Sequence, residues 1–235
     1  MIKKIFQYFG YTFEKIKKSN NINDIIKLKL KSEPCNILID IGCNRGDFTA
    51  DLISEFENYY LFEPNPNLYN ELKFKFSNHK NVETFSFGID IENSVKKFHI
   101  INDTGQTLSS IKKPTQLLQK NLKNTEITSI QEISFKRLDD FLLSKNLSIN
   151  SSIFLKTDTQ GNEMQVLNSV GKFISNIKFI KCEFPVKNLY EIDYNFWDIL
   201  SFMKENDFIP LFFENGLRNN KGSLIEFDVL FEKNN

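Results

Sequence analysis

The segment NILIDIG at residues 36–42 constrains this chain more than any other stretch, because it is a short, nearly unbroken apolar run that ends on glycine. A strand with one wet face alternates apolar and polar residues. A run without that alternation suits a strand covered on both sides, as in parallel sheets flanked by helices. The same beat recurs downstream. Phe48–Phe56 has helical spacing, Tyr59–Phe62 reads as a second strand, Leu68–Phe76 as a helix and Val82–Phe87 as a third strand. An added strand at 95–101 and a long polar loop at 102–129, with a helical turn around Leu117–Leu122, interrupt the rhythm. It then resumes with a helix at Leu138–Lys145, a strand at Ile153–Asp158, a helix at Asn162–Phe173, a strand at Phe179–Phe184 and a helix at Phe196–Asn206. Two strands, Ile209–Phe213 and Ile225–Phe231, follow with no helix between them and are expected to pair as a hairpin. Such alternation predicts an α/β fold, a mainly parallel sheet with helices on both faces.

Composition narrows the setting. A chain of 235 residues fits one domain with a substantial core. Its 24 phenylalanines, with abundant Asn, Lys and Ile, read first as A/T-rich codon usage. Zero formal net charge gives no global field for holding nucleic acid. The charge is uneven, however: residues 1–31 carry eight lysines against Glu14 and Asp24, a net of +6 that the remainder balances. Ile2, Ile5, Phe6, Phe9, Phe13 and Ile16 fall at helical spacing, and a second helical stretch ends by Pro34. Residues 1–34 therefore read as a lysine-rich helical extension, and 35–235 as the main domain. The basic arm is either a solvated helix face or a contact for a membrane surface or acidic partner. Cys35, Cys43 and Cys182 are odd in number and widely spaced, which predicts reduced thiols and no zinc site. With no apolar run long enough to span a bilayer and no signal-peptide pattern, a cytoplasmic location is expected.

In an open parallel sheet the ligand sits beyond the carboxyl ends of the strands, which places the chemistry after Ile41, Phe62, Phe87 and Asp158. The first strand ends in Asp40-Ile-Gly42-Cys-Asn44-Arg-Gly46, and a helix starts just beyond. Glycines there permit a tight turn and close backbone approach, and a helix start offers N–H groups to an anion such as a methionine carboxylate. The spacing is not the G-x-G-x-x-G of a dinucleotide loop. Glu63 ends the second strand, where a carboxylate is suited to accept from both ribose hydroxyls, or else to cap the helix near Asn67. At the third strand end, Gly88 and Ile89 offer a backbone opening beside an adenine, and Asp90 either accepts from its amino group or closes a turn. Together these strand ends predict an adenosine-containing cofactor.

The fourth strand ends in Leu155-Lys-Thr-Asp158-Thr-Gln160-Gly161-Asn-Glu163. A carboxylate at this corner can act as general base, or hold a metal that acidifies the acceptor. Asp158 is the expected base, with Glu163 either orienting it or the acceptor, or simply favouring its own helix start. Ser109 and Ser110, on the long loop, are candidate acceptor contacts, as is Gly161. His79 falls in a polar turn and His99 in a strand, neither with the neighbours of a nucleophilic triad.

Taken in order, IDIGCNRGDFT (39–49), FEPNPNLYNEL (62–72), GIDIEN (88–93), TGQTLSSI (104–111), RLDDFL (137–142), FLKTDTQGNEMQVLNSVG (154–171), CEFPVKNLYE (182–191) and SLIEFDVLFEK (223–233) make the chain resemble the FkbM family of S-adenosylmethionine-dependent methyltransferases. The resemblance implies a Rossmann-like seven-strand methyltransferase sheet with an antiparallel last strand. It also implies S-adenosylmethionine as cofactor and O-methylation, often of a sugar hydroxyl in a glycan or of another small molecule. By the same resemblance Asp40, Gly42, Asn44 and Gly46 belong to the cofactor loop, Glu63 to the ribose, and Asp158, Gly161 and Glu163 to the reaction corner. Gln160 stands where many members carry an acid, which removes one charge from a metal site; a divalent metal would fall to Asp158. Three other readings share parts of the pattern. A nucleotide-dependent oxidoreductase would want a different glycine spacing, a non-catalytic nucleoside-binding module would have no need of the carboxylates at 158 and 163, and a nucleic-acid methylase would want a basic cleft.

Overall fold

The structure, a computed structural model, describes residues 21–101, 103, 107–147 and 150–234. The helix read at Ile2–Ile16 lies outside the described residues.

Helix α1 (Ile22–Ser32) is capped by Asn21, whose side chain accepts from Asn23 N. It leads into β1 (Ile37–Ile41), buried along its whole length. There follow α2 (Asp47–Asp51), β2 (Asn58–Phe62), α3 (Pro66–Lys75) and β3 (Val82–Phe85). Beyond an inserted region come α5 (Leu138–Ser144), β7 (Ile153–Thr157), α6 (Glu163–Ser169), a 3-10 turn at Gly171–Asn176, β8 (Ile177–Pro185), α7 (Phe196–Glu205), β9 (Phe208–Phe213), β10 (Leu217–Arg218) and β11 (Leu224–Lys233). The strands β3, β2, β1, β7 and β8 lie side by side and parallel, then β11 runs antiparallel against β8. β9 and β10 share the far edge of β11. This is the Rossmann-like sheet with an antiparallel last strand, and the final pair does meet as antiparallel neighbours.

The insert contains β4 (Gly88–Ile89), β5 (Ser94–Ile101), α4 (Gln116–Asn121) and β6 (Ile127–Lys136). β4, β6 and β5 form a second, three-stranded sheet. The 102–129 stretch, expected as a loop with a helical turn around Leu117–Leu122, carries that turn as α4 but ends early, giving way to a strand at Ile127 paired with β5. β6 escapes detection because it is mostly exposed, burying only Ile133 and Phe135.

Side-chain parity divides the core. Ile37, Ile39 and Ile41 face α5 and α6, where Leu138, Phe141, Val166 and Leu167 pack with Tyr60 and Phe62. Leu38 faces the other way, with Leu52, Tyr59, Phe154 and Phe179. Ile22, Ile26 and Leu30 of α1 are buried in that second cluster, so the described part of the 1–34 extension packs into the same core. Phenylalanine is used heavily here. Phe62, Phe85, Phe87 and Phe141 meet with ring centroids 4.8–6.2 Å apart beneath the carboxyl end of the sheet. Truncating either of the two buried rings, Phe62 or Phe141, costs about 3–5 kcal/mol. Cys35, Cys43 and Cys182 are free and buried. No helix among the described residues is long and apolar enough to cross a membrane.

Candidate active site

The loop after β1 reverses sharply, with Gly42, Asn44 and Gly46 all in the left-handed region (φ 70°, 52° and 69°). The amides of Gly42 and Cys43 both donate to Phe62 O, at 3.0 and 3.1 Å, which ties the loop to β2. A Cβ added to Gly42 would stand 1.9 Å from Asp158 O, so the loop lies directly against the end of β7. Gly46 precedes α2 and faces Phe76 and Leu72 of α3, away from the cavity described below.

Beneath this loop is a buried ion pair. Asp40 Oδ1 lies 3.1 Å from Lys156 Nζ, and Asp40 Oδ2 accepts from Thr49 Oγ1 at 2.8 Å. Lys156 also donates to Gly42 O at 2.8 Å. Asp40 is therefore a support under the cofactor loop. Burial opposes the charge on Lys156, but Asp40 and Asp158 outweigh it and hold its pKa above the ordinary lysine value. The charge stays.

Glu63 accepts from the amides of Asn44 (Oε2, 2.8 Å) and Asn65 (Oε1, 2.8 Å). Each carboxylate oxygen carries two lone pairs, so one acceptor position per oxygen remains for a ligand. Burial pushes its pKa up to about 7, against the pull of the two amides and Lys156. The cap of α3 falls to Asn65, whose side chain accepts from Asn67 N; Glu63 is not the cap.

At the end of the insert's short strand, Gly88 and Ile89 line the same space as Gly42, Asn44 and Glu63. Asp90 does not. It is fully buried, paired with Lys96 and bonded to Ile91 N, so of its two readings, adenine contact or turn closure, the structure carries the turn, joined by an internal ion pair. The walls opposite are apolar, from Phe98, Leu108, Ile111 and Phe135, all supplied by the insert.

Asp158 faces the cavity from the end of β7. Its Oδ1 accepts from Gln160 Nε2 at 2.9 Å, and Lys156 Nζ is 3.7 Å from its Oδ2. Burial would raise its pKa, yet Lys156, Lys181 and the Gln160 amide prevail and hold it below the usual carboxylate range. Glu163 turns away from this cavity. Its Oε1 accepts from Thr159 N and Thr159 Oγ1 (2.7 and 2.8 Å), and its Oε2 from Gly161 N and Tyr194 OH (3.1 and 2.7 Å). With four donors on its two oxygens, it ties the β7–α6 loop to Tyr194. Gly161 is likewise behind the loop, against Tyr190 and Ile192.

Of the two serines, Ser109 lines the cavity while its hydroxyl is bonded to the backbone of Ile101. Ser110 is buried and donates to Gln160 O at 2.7 Å. His99 is buried in β5, paired with Ser110 through the backbone, and His79 is exposed.

The shared space is a cavity of about 330 Å³, within the range of small-molecule sites. Two lining carboxylates, Glu183 at the end of β8 and Glu226 on β11, were not singled out from the sequence. Glu183 had a signal, a lone acid closing the apolar run Phe179–Phe184, as did Lys156, a lone cation inside a buried strand. Among the described residues no group of three or more His, Cys, Asp or Glu side chains is placed to hold a metal ion.

A sheet of this order, with a glycine loop and a carboxylate-tipped second strand opening on one cavity, defines the Rossmann-like methyltransferase fold. The chain belongs to the FkbM methyltransferase family: the Methyltransferase FkbM domain matches residues 40–210. A solved FkbM methyltransferase from Methylobacillus flagellatus KT is similar in fold, with a TM-score of 0.51 and 13% identity over 84% of this chain and 43% of that one. This chain thus spans less than half of that protein. Magnesium protoporphyrin IX methyltransferase from Synechocystis PCC 6803, solved with bound S-adenosylmethionine, matches with a TM-score of 0.47 and 9% identity over 99% and 95% of the two chains. An S-adenosylmethionine-dependent methyltransferase from Clostridium acetobutylicum ATCC 824 gives 0.45 and 11% over 91% of each. No curated protein sequence matches the chain.

Proposed function

We propose that this chain is an S-adenosylmethionine-dependent methyltransferase that methylates a hydroxyl oxygen of a sugar, glycan or other small molecule. The observation that carries this reading is the union, in one cavity, of Gly42, Glu63, Gly88 and Ile89 with Asp158. The lining chemistry fits the cofactor: Glu63 retains acceptor positions for a ribose diol, the insert supplies apolar walls for a purine, and Asp158 is a fixed anion for a sulfonium. S-adenosylmethionine supplies a methyl already activated by positive sulfur, which leaves alignment and proton removal to the protein.

The residues divide that work. The Gly42 loop and Glu63 hold the nucleoside, the insert's apolar side chains exclude water, and Asp158 stands at the reacting corner with its charge kept by Lys156. An acceptor without negative charge fits best, because Asp158, Glu183 and Glu226 line the cavity while none of its described lining residues is lysine or arginine. The same feature speaks against a nucleic-acid acceptor.

Calorimetry with S-adenosylhomocysteine tests the cofactor reading, and absence of binding by folded protein would end it. Asp158→Asn should keep that binding and lose roughly 100-fold in methyl transfer to a panel of glycosides, the scale of a removed electrostatic contact. Unchanged transfer would remove Asp158 from the reaction.

A further inference from the structure

We propose that Glu226, backed by Glu183, takes the proton from the acceptor hydroxyl, while Asp158 remains a fixed anion; this assignment rests on the methyl-transfer reading above. The geometry separates the three carboxylates by what already holds them. Asp158 is engaged on both oxygens, by Gln160 at 2.9 Å and by Lys156 at 3.7 Å. Glu183 Oε2 receives the other side of the same Gln160 amide nitrogen at 3.3 Å. Tyr190 OH lies 3.0 Å from Gln160 Oε1, and an amide turned the other way would aim its oxygen at two carboxylates. Gln160 therefore pins Asp158 and Glu183 as a pair. Glu226 lines the cavity beside them with no hydrogen bond or ion pair among the described residues, and it is only half-buried.

The surroundings of Glu226 favour a proton on it. The negative charges of Asp158 at the end of β7, Glu163 on α6, Asp228 on its own strand and Glu183 on β8 all act on it. Of the cations in this region, Lys181 is committed to Asp228 at 2.7 Å and to Glu214 at 3.9 Å, and Lys187, which lines the adjoining space with Glu226, is exposed to solvent. Burial and these like charges push Glu226 up to about 7, and push Glu183 well above the ordinary carboxylate value. A proton acceptor works best when its affinity is near the working pH. Asp158, held low, is poorly suited to that role.

In the step, the acceptor O–H bond breaks and its proton passes to a Glu226 oxygen. The freed electron pair forms the O–CH3 bond, and the S–CH3 pair stays on sulfur. One positive and one negative charge disappear together, which a site of low dielectric favours. Glu226, only partly buried, then returns the proton to water.

Two readouts test the assignment. In protein with 13C-labelled glutamate carboxyls, two resonances should titrate near pH 7, those of Glu63 and Glu226, and only one of them should vanish in Glu226→Gln. A Glu226 midpoint at the ordinary value near 4.5 overturns the proposal, whatever compound is methylated. With methyl glucoside, methyl galactoside and methyl fucoside as acceptors, Glu226→Gln should lose roughly 100-fold in turnover and the acid limb of the pH profile, while Glu226→Asp recovers part of the rate. Turnover of Glu226→Gln equal to the parent overturns it as well. S-adenosylhomocysteine binding should be the same in both proteins; its absence from the parent would instead sink the cofactor reading.

Discussion

The carbonyl oxygen of Asp158 occupies the place where a side chain on Gly42 would have to begin. The gap to an added Cβ is 1.9 Å, and the residue already sits at φ 70°. The loop after β1 and the end of β7 are thus in backbone contact, and this fixes the distance between the two sides of the cavity.

Gly42→Ala should destabilise the protein by more than about 3 kcal/mol, because roughly 1–2 kcal/mol of left-handed strain is joined by a backbone collision. Gly222→Ala is the control, at φ 81° with nothing within 4 Å of the added carbon. It should show the strain alone. Denaturant midpoints of the two variants measure the difference, and equal losses would mean the collision is relieved at no cost.

Glu63 sets a pH dependence. Its pKa of about 7 in the free protein means that a diol bound to the ionised carboxylate must drive off a proton at lower pH. Affinity for S-adenosylhomocysteine should therefore be level above about pH 8 and weaken roughly tenfold per unit below about pH 6, with proton release on binding. Glu63→Gln should bind more weakly with a flat profile. A flat profile in the parent protein would show that Glu63 does not meet the diol.

Glu163 is structural in this account, so its replacement should be read in stability. Glu163→Ala strands the amides of Thr159 and Gly161 and the Tyr194 hydroxyl, a loss on the order of 3–5 kcal/mol for a buried, fully bonded charge. Tyr194→Phe removes one bond to a carboxylate and should cost about 1.5–3 kcal/mol. Urea midpoints check both. Glu163→Ala with parental stability would return Glu163 to the list of reacting groups.

The contrast between Asp158 and Glu163 shows what a sequence can and cannot convey about such a site. Strands β1, β2, β7 and β8 were legible because burial on both faces writes continuous apolar runs, and Gly42, Glu63 and Asp158 were legible because each sits where such a run stops. Which way a carboxylate then points depends on partners far away in the chain. Tyr194 claims Glu163, and Lys96 claims Asp90 across the turn into β5. Glu226 was hidden for another reason: with Asp228 it alternates against apolar neighbours, the pattern of a solvated edge, whereas β11 actually lies between β8 and the β9–β10 edge. β6 was lost because it buries only Ile133 and Phe135, near its end, and leaves Ile127 and Ile130 on a wet surface.

The three sealed cysteines give the molecule a built-in gauge of its own opening. Cys43 lies in the loop after β1, Cys35 against the α1 side of the sheet and Cys182 on the opposite side. A thiol reagent therefore reaches Cys35 and Cys43 only when the α1-side layer parts, and Cys182 only when the opposite layer does. The order in which the three are labelled traces how the molecule comes undone, with no reporter group added.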